Sequence, residues 1–137
     1  MMEKNILDLL YEMKKKCIIN DDAFMTKANL SYAEYNFFIA ICKCEEINSN
    51  IIAKKMGLSL SRISRVIDKL VIRDFLTRKT DSNDRRAIKL VLTKEGEKLK
   101  NQIKEYRKEC EFKIISNVST KELTIIKESF NTVLGLL

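Results

Sequence analysis

The chain has 137 residues, 45% hydrophobic and 33% charged, which suits one domain with a real core and excludes disorder, a fibre or a disulfide scaffold. It has no proline, no histidine and only three glycines, so a mostly helical fold is expected and the commonest general base and metal ligand are missing. The net charge of +7 is concentrated: residues 54–108 hold 17 basic and 7 acidic side chains, a net of +10, between flanks of −2 and −1. Such a basic field marks a binder of polyanions or of an acidic membrane surface.

Apolar residues at Ile6, Leu9, Leu10, Met13 and Cys17 have helical spacing and predict a first helix over residues 5–19. Asn20, Asp21 and Asp22 read as its break, and residues 20–29 as poorly helical. Ser31 and Glu34 form a capping box that opens a second, strongly apolar helix reaching about Cys44. Its apolar run, residues 37–42, is far short of the ~20 residues a membrane span needs. The N-terminus lacks the apolar stretch of a signal peptide, and a cytoplasmic protein is expected.

After a loop at residues 45–48 come two short helices, 49–56 and 60–73, separated by Gly57, Leu58 and Ser59. That spacing predicts a helix-turn-helix. Ala53 supplies the small side chain needed between the helices, Gly57 the left-handed turn, and Ser59 the cap of the second helix. Ile52, Met56, Leu58, Ile63 and Val66 fill the small core. A plain helix hairpin needs no polar outer face on its second helix. Here that face is Ser61, Arg62, Ser64, Arg65 and Lys69, short hydroxyls and cations that can reach base edges and phosphates in a major groove. Asp68 is the lone acid nearby.

The period then changes to two. Residues 75–80 and 88–92 read as strands joined by a charged tip, 81–87. Arg85 and Arg86 at this tip could enter a minor groove, with Asp84 orienting an arginine. Thr93 can cap a long helix over 94–115, and Ser119 with Glu122 opens a last helix. The expected order is α-α-α-α-β-β-α-α in one domain, mainly α with a small β-hairpin wing. No nucleophile–base pair, phosphate loop or metal cluster is legible, so neither an enzyme nor a cofactor is expected. Cys17, Cys42, Cys44 and Cys110 lack metal-ligand spacing and read as small hydrophobic residues in a reducing compartment.

These residues together resemble the MarR family of bacterial winged-helix regulators. The resemblance covers residues 29–99 and rests on Leu30-Ser31-Tyr32-Ala33-Glu34-Tyr35, Ile52-Ala53-Lys54-Lys55-Met56-Gly57-Leu58-Ser59 and Ile63-Ser64-Arg65-Val66-Ile67-Asp68-Lys69-Leu70. Its most family-specific part is Asp81-Ser82-Asn83-Asp84-Arg85-Arg86-Ala87 followed by Leu92-Thr93-Lys94-Glu95-Gly96. Asp74 stands where the family often has glycine, and aspartate tolerates positive φ better than most residues.

The resemblance implies a winged helix-turn-helix lobe at 31–94, flanked by dimerisation helices at 1–30 and 95–137. It implies a homodimer on a double-stranded, pseudo-palindromic operator, acting as a repressor that a small-molecule or oxidant signal releases. In that reading Ser61, Arg62 and Arg65 read bases or adjoining phosphates, while Arg86 enters the minor groove steadied by Asp84. Ser49, Lys54, Lys55, Ser64, Lys69 and Arg85 hold the DNA backbone. A small aromatic or anionic effector is implied, or an oxidant at Cys17, which follows three lysines that could lower a thiol pKa. The alternative is an architectural protein that coats DNA without choosing sites. A membrane-surface role is disfavoured, because no basic amphipathic helix with aromatic anchors is present.

Overall fold

A computed structural model describes residues 3–42, 46–80 and 88–137. Among the described residues, six helices and two strands follow in the expected order: α1 Ile6–Ala28, α2 Tyr32–Ile41, α3 Ser49–Met56, α4 Leu60–Ile72, β1 Leu76–Thr80, β2 Ile88–Leu92, α5 Lys94–Ile115 and α6 Thr120–Leu136. Residues 1–100 make one compact unit and residues 101–137 a second. No helix among the described residues is long and apolar enough to cross a membrane.

The expected break at Asn20–Asp22 is overturned. Helix α1 runs through it, opening on an Asn5–Asp8 capping box and ending only at Asn29, in the left-handed region at φ 54°. Asn and Asp cost a helix interior only about 0.5 kcal/mol each, and packing outweighs that here. The Tyr35 hydroxyl donates to Asp21 Oδ1 at 3.3 Å, the Phe24 and Tyr35 rings lie 6.0 Å apart, and Met25 is buried.

Helix α2 is central, as its apolar run predicts, although it stops at Ile41 with Cys42 as cap, and Cys44 lies outside the described residues. Its Phe37, Phe38 and Ile41 are buried together with Ile52 and Ala53 of α3, Ile63, Ile67 and Leu70 of α4, Leu76 of β1 and Leu90 of β2. Phe38 meets Phe37 and Phe75 edge-on at 6.0 and 6.1 Å. Burial of each phenyl ring stabilises the fold by roughly 1.5–3 kcal/mol.

Strands β1 and β2 pair antiparallel with Leu76 opposite Leu92 and Arg78 opposite Leu90. Ile47, in the segment expected as plain loop, adds an antiparallel bridge to Leu90. Thr93 ties the sheet to α5: its hydroxyl donates to the Asp74 carbonyl at 2.5 Å and accepts the Gly96 N–H at 3.0 Å. Helix α6 opens on the expected Ser119–Glu122 capping box, and none of its side chains is fully buried.

Three helices of the first unit end alike. Asn29, Gly57 and Asp74 all have positive φ, at 54°, 66° and 62°. In each case the next residue's N–H reaches back to the carbonyl five residues before it: Leu30 to Met25, Leu58 to Ala53 and Phe75 to Leu70, all at 2.9 Å. These are Schellman endings, in which a left-handed residue satisfies carbonyls the helix leaves open. Asp74 thus occupies the conformation the sequence required of it.

Candidate nucleic-acid interface

The unit α3–turn–α4 is built as its spacing demands. Ile52 and Ala53 on α3 face Ile63 and Val66 on α4, all buried, and Met56 and Leu58 are half-buried beside them. Gly57 turns the chain, and the Ser59 hydroxyl accepts the Arg62 N–H at 3.3 Å to start α4. Burial of Ile63, Val66, Ile67 and Leu70 on one side forces Ser61, Arg62, Ser64, Arg65, Asp68 and Lys69 to the other. Every one of those is exposed.

This face is electropositive. Among the described residues, Arg62, Arg65 and Lys69 have no ion-pair partner. Lys54 and Lys55 at the end of α3 are exposed, and Ser49 at its start is partly so. Asp68 is neutralised by an ion pair with Arg78 of β1, which also ties the hairpin to α4. The expected wing residues Asp84, Arg85 and Arg86 lie outside the described residues. Cys17 is exposed on α1, while Cys42 and Cys110 are half-buried.

Arg73 and its partner Glu34 were not singled out as a pair by sequence reasoning, because 39 residues separate them and the capping box that marks Glu34 says nothing of Arg73. Arg73 Nη1 donates to Glu34 Oε2 at 2.7 Å, Nη2 donates to the Asn29 carbonyl at 2.7 Å, and the guanidinium lies 5.1 Å from the Phe75 ring centre. Glu34 Oε1 meanwhile accepts the Ser31 N–H at 2.9 Å. Burial raises the Glu34 carboxyl, and the Ser31 amide and Arg73 guanidinium outweigh it, holding the group below the ordinary carboxylate range. Elsewhere on α2, Tyr32, Ala33, Asn36 and Ile39 line, with Lys55 and Met56 of α3, an open groove of about 440 Å³.

Comparison with known proteins agrees with this geometry. The sequence model of the MarR family matches residues 40–88. The HTH-type transcriptional regulator SarZ of Staphylococcus aureus strain USA300 is 23% identical over 104 residues, which span 76% of this chain and 70% of that one. Streptococcus pneumoniae FabT, solved in complex with DNA, superposes with a TM-score of 0.87 at 19% identity, over 96% of this chain and 94% of that one. CouR of Rhodococcus jostii RHA1, solved with p-coumaroyl-CoA, gives a TM-score of 0.74 at 21% identity, over 95% and 92%. Residues 40–88 are thus similar to the MarR family, and the chain shares the winged helix-turn-helix fold of the FabT and CouR structures.

Proposed function

We propose that this chain is a DNA-binding transcriptional regulator that reads a pseudo-palindromic duplex as a homodimer, one α4 per half-site. The observation that carries the reading is the outward face of α4: Ser61, Arg62, Ser64, Arg65 and Lys69 are all exposed on one side of a helix whose other side is fixed in the core. Arginines and short hydroxyls on a rigid helix can enter a major groove and bond base edges and phosphates. SarZ is named a transcriptional regulator and FabT was solved on DNA, which supports the same assignment here.

In this reading Ser61, Arg62 and Arg65 contact bases, whereas Ser49, Lys54, Lys55, Ser64 and Lys69 contact the backbone. Arg86 extends the contact into the minor groove, steadied by Asp84, and Arg85 holds the backbone beside it. The dimer is supported by apolar side chains left exposed on α1, including Ile6, Leu9, Tyr11 and Met13, and on the second unit, including Phe112, Ile125, Phe130 and Leu134. Those segments are also near-neutral in charge, as a buried interface requires.

Regulation is repression relieved by a small aromatic or anionic molecule, a reading supported by CouR having been solved with p-coumaroyl-CoA bound. An oxidant acting at the exposed Cys17 is the second signal to test. Peroxide treatment that leaves DNA binding intact would remove it.

Fluorescence anisotropy with duplex from upstream of the protein's own gene, competed by random duplex at physiological salt, tests the function. A preference of ~10³-fold or more establishes site reading. If the own-gene duplex and random duplex bind equally, selection from a random-sequence library decides: an enriched motif keeps the regulator, and none makes the protein an architectural coat.

A further inference from the structure

We infer that Arg73 is a positioning residue for base reading: its guanidinium locks the C-terminal end of α4 to the junction of α1 and α2. The inference rests on the DNA-reading role of α4 proposed above. Three helix ends meet at one planar group. Asn29 closes α1, Glu34 is in the first turn of α2, and Arg73 closes α4. The fork spans the first two with bonds of 2.7 Å each, and Phe75, the first residue after the α4 turn, lies beneath it.

The site is built to hold that fork still. The Glu34 side chain is only 7% exposed and cannot drift, because its second oxygen is held by the Ser31 N–H. The Asn29 carbonyl is fixed by the left-handed turn that ends α1. A guanidinium presents its donors in one plane at fixed spacing, so satisfying both acceptors sets its direction as well as its distance. A lysine in its place would offer a point charge with rotatable donors and no such plane, so it could not fix direction in the same way.

Position along α4 makes this matter for DNA. Arg62 lies eleven residues before Arg73, about 16 Å along the axis at 1.5 Å per residue. Tilting the helix by about 5° around its anchored end moves Arg62 by about 1.4 Å at that radius. Hydrogen bonds to base edges tolerate a few tenths of an ångström, so such a tilt removes them. Phosphate attraction, being non-directional, survives it. The clamp therefore governs discrimination between sequences rather than overall attraction to DNA.

The test uses the full-length protein with Arg73→Gln and Arg73→Lys, each measured against a duplex selected by the wild-type protein and against random duplex. Melting temperature is recorded alongside. Arg73→Gln is expected to lose about tenfold or more on the selected duplex while random binding stays within about twofold, since base contacts alone are lost. Arg73→Lys keeps the charge and should show the same selective loss, smaller in size, which keeps the test valid if Arg73→Gln fails to fold. Equal losses on both duplexes, or full discrimination in Arg73→Lys, would overturn the clamp. A wild-type protein that enriches no duplex would instead overturn the DNA-reading role itself.

Discussion

A methyl group placed on Gly96 would stand 2.1 Å from the carbonyl oxygen of Phe75. That oxygen is already engaged by the Thr93 N–H at 3.1 Å, so it has no freedom to retreat. The Leu-Thr-x-x-Gly run thus has a physical reading: Thr93 bonds the end of the α4 turn, and Gly96 lets α5 pass within touching distance of it. Gly96→Ala should destabilise the fold by about 3 kcal/mol through backbone displacement. A denaturant midpoint within ~0.5 kcal/mol of wild type would contradict the close approach.

Gly57 offers a contrast, because a side chain there would meet nothing within 4 Å and only its φ of 66° resists substitution. Gly57→Ala should therefore cost about 1 kcal/mol, the penalty of a left-handed residue bearing a Cβ. Asp74→Gly runs the other way. It relieves the same penalty but adds freedom to the unfolded chain, so stability should stay level or rise by up to about 0.5 kcal/mol. A clear loss in Asp74→Gly, read from urea unfolding, would assign the carboxylate a contact of its own.

Glu34 predicts how acid weakens the fold. Its carboxyl titrates lower in the folded chain than in the unfolded one, so the unfolded state takes up protons first as pH falls. The Glu34 contribution is therefore complete above the unfolded value of about 4.3 and is lost as pH drops through the folded value. Melting temperature should be level from neutrality to about pH 5 and fall below that, on this contribution. Glu34→Gln should lower it at neutrality and flatten the fall. An unchanged acid profile in that variant would place the sensitivity elsewhere.

The α4 face predicts two kinds of binding defect. Arg62→Ala should cost about 1–3 kcal/mol and relax preference at one base position per half-site. Lys54→Ala should weaken all duplexes alike and reduce the salt dependence of binding by about one ion per half-site. Selection on random duplex and a salt titration separate them. A change in preference from Lys54→Ala, or none from Arg62→Ala, would reverse the roles assigned.

What was legible in the sequence follows from how local each signal is. Capping boxes at Ser31 and Ser119, the turn at Gly57 and the alternation at 88–92 are each written within a few residues, and each lies where expected. The continuity of α1 through Asn20, Asp21 and Asp22 was not legible, because Tyr35 and Met25 decide it from tertiary packing. The bridge at Ile47 depends on Leu90, far along the chain. At the interface, the face of α4 was read from spacing alone. The cations that orient it, Arg73 toward Glu34 and Arg78 toward Asp68, are ordinary charges in sequence and acquire meaning only through the fold.

Helix α6 carries a consequence for how the protein behaves on dilution. A seventeen-residue helix with no fully buried side chain is marginal in water on its own, and Phe130, Leu134 and Leu136 are left wet. If a second copy covers them, dilution itself acts as a denaturant, and the unfolding midpoint should climb with protein concentration. Calorimetry across a hundredfold range of concentration reads this directly. A midpoint that stays put would mean that α6 stands without a second copy. A climbing one would couple the protein's own abundance to its ability to hold DNA, with scarcity alone enough to switch it off.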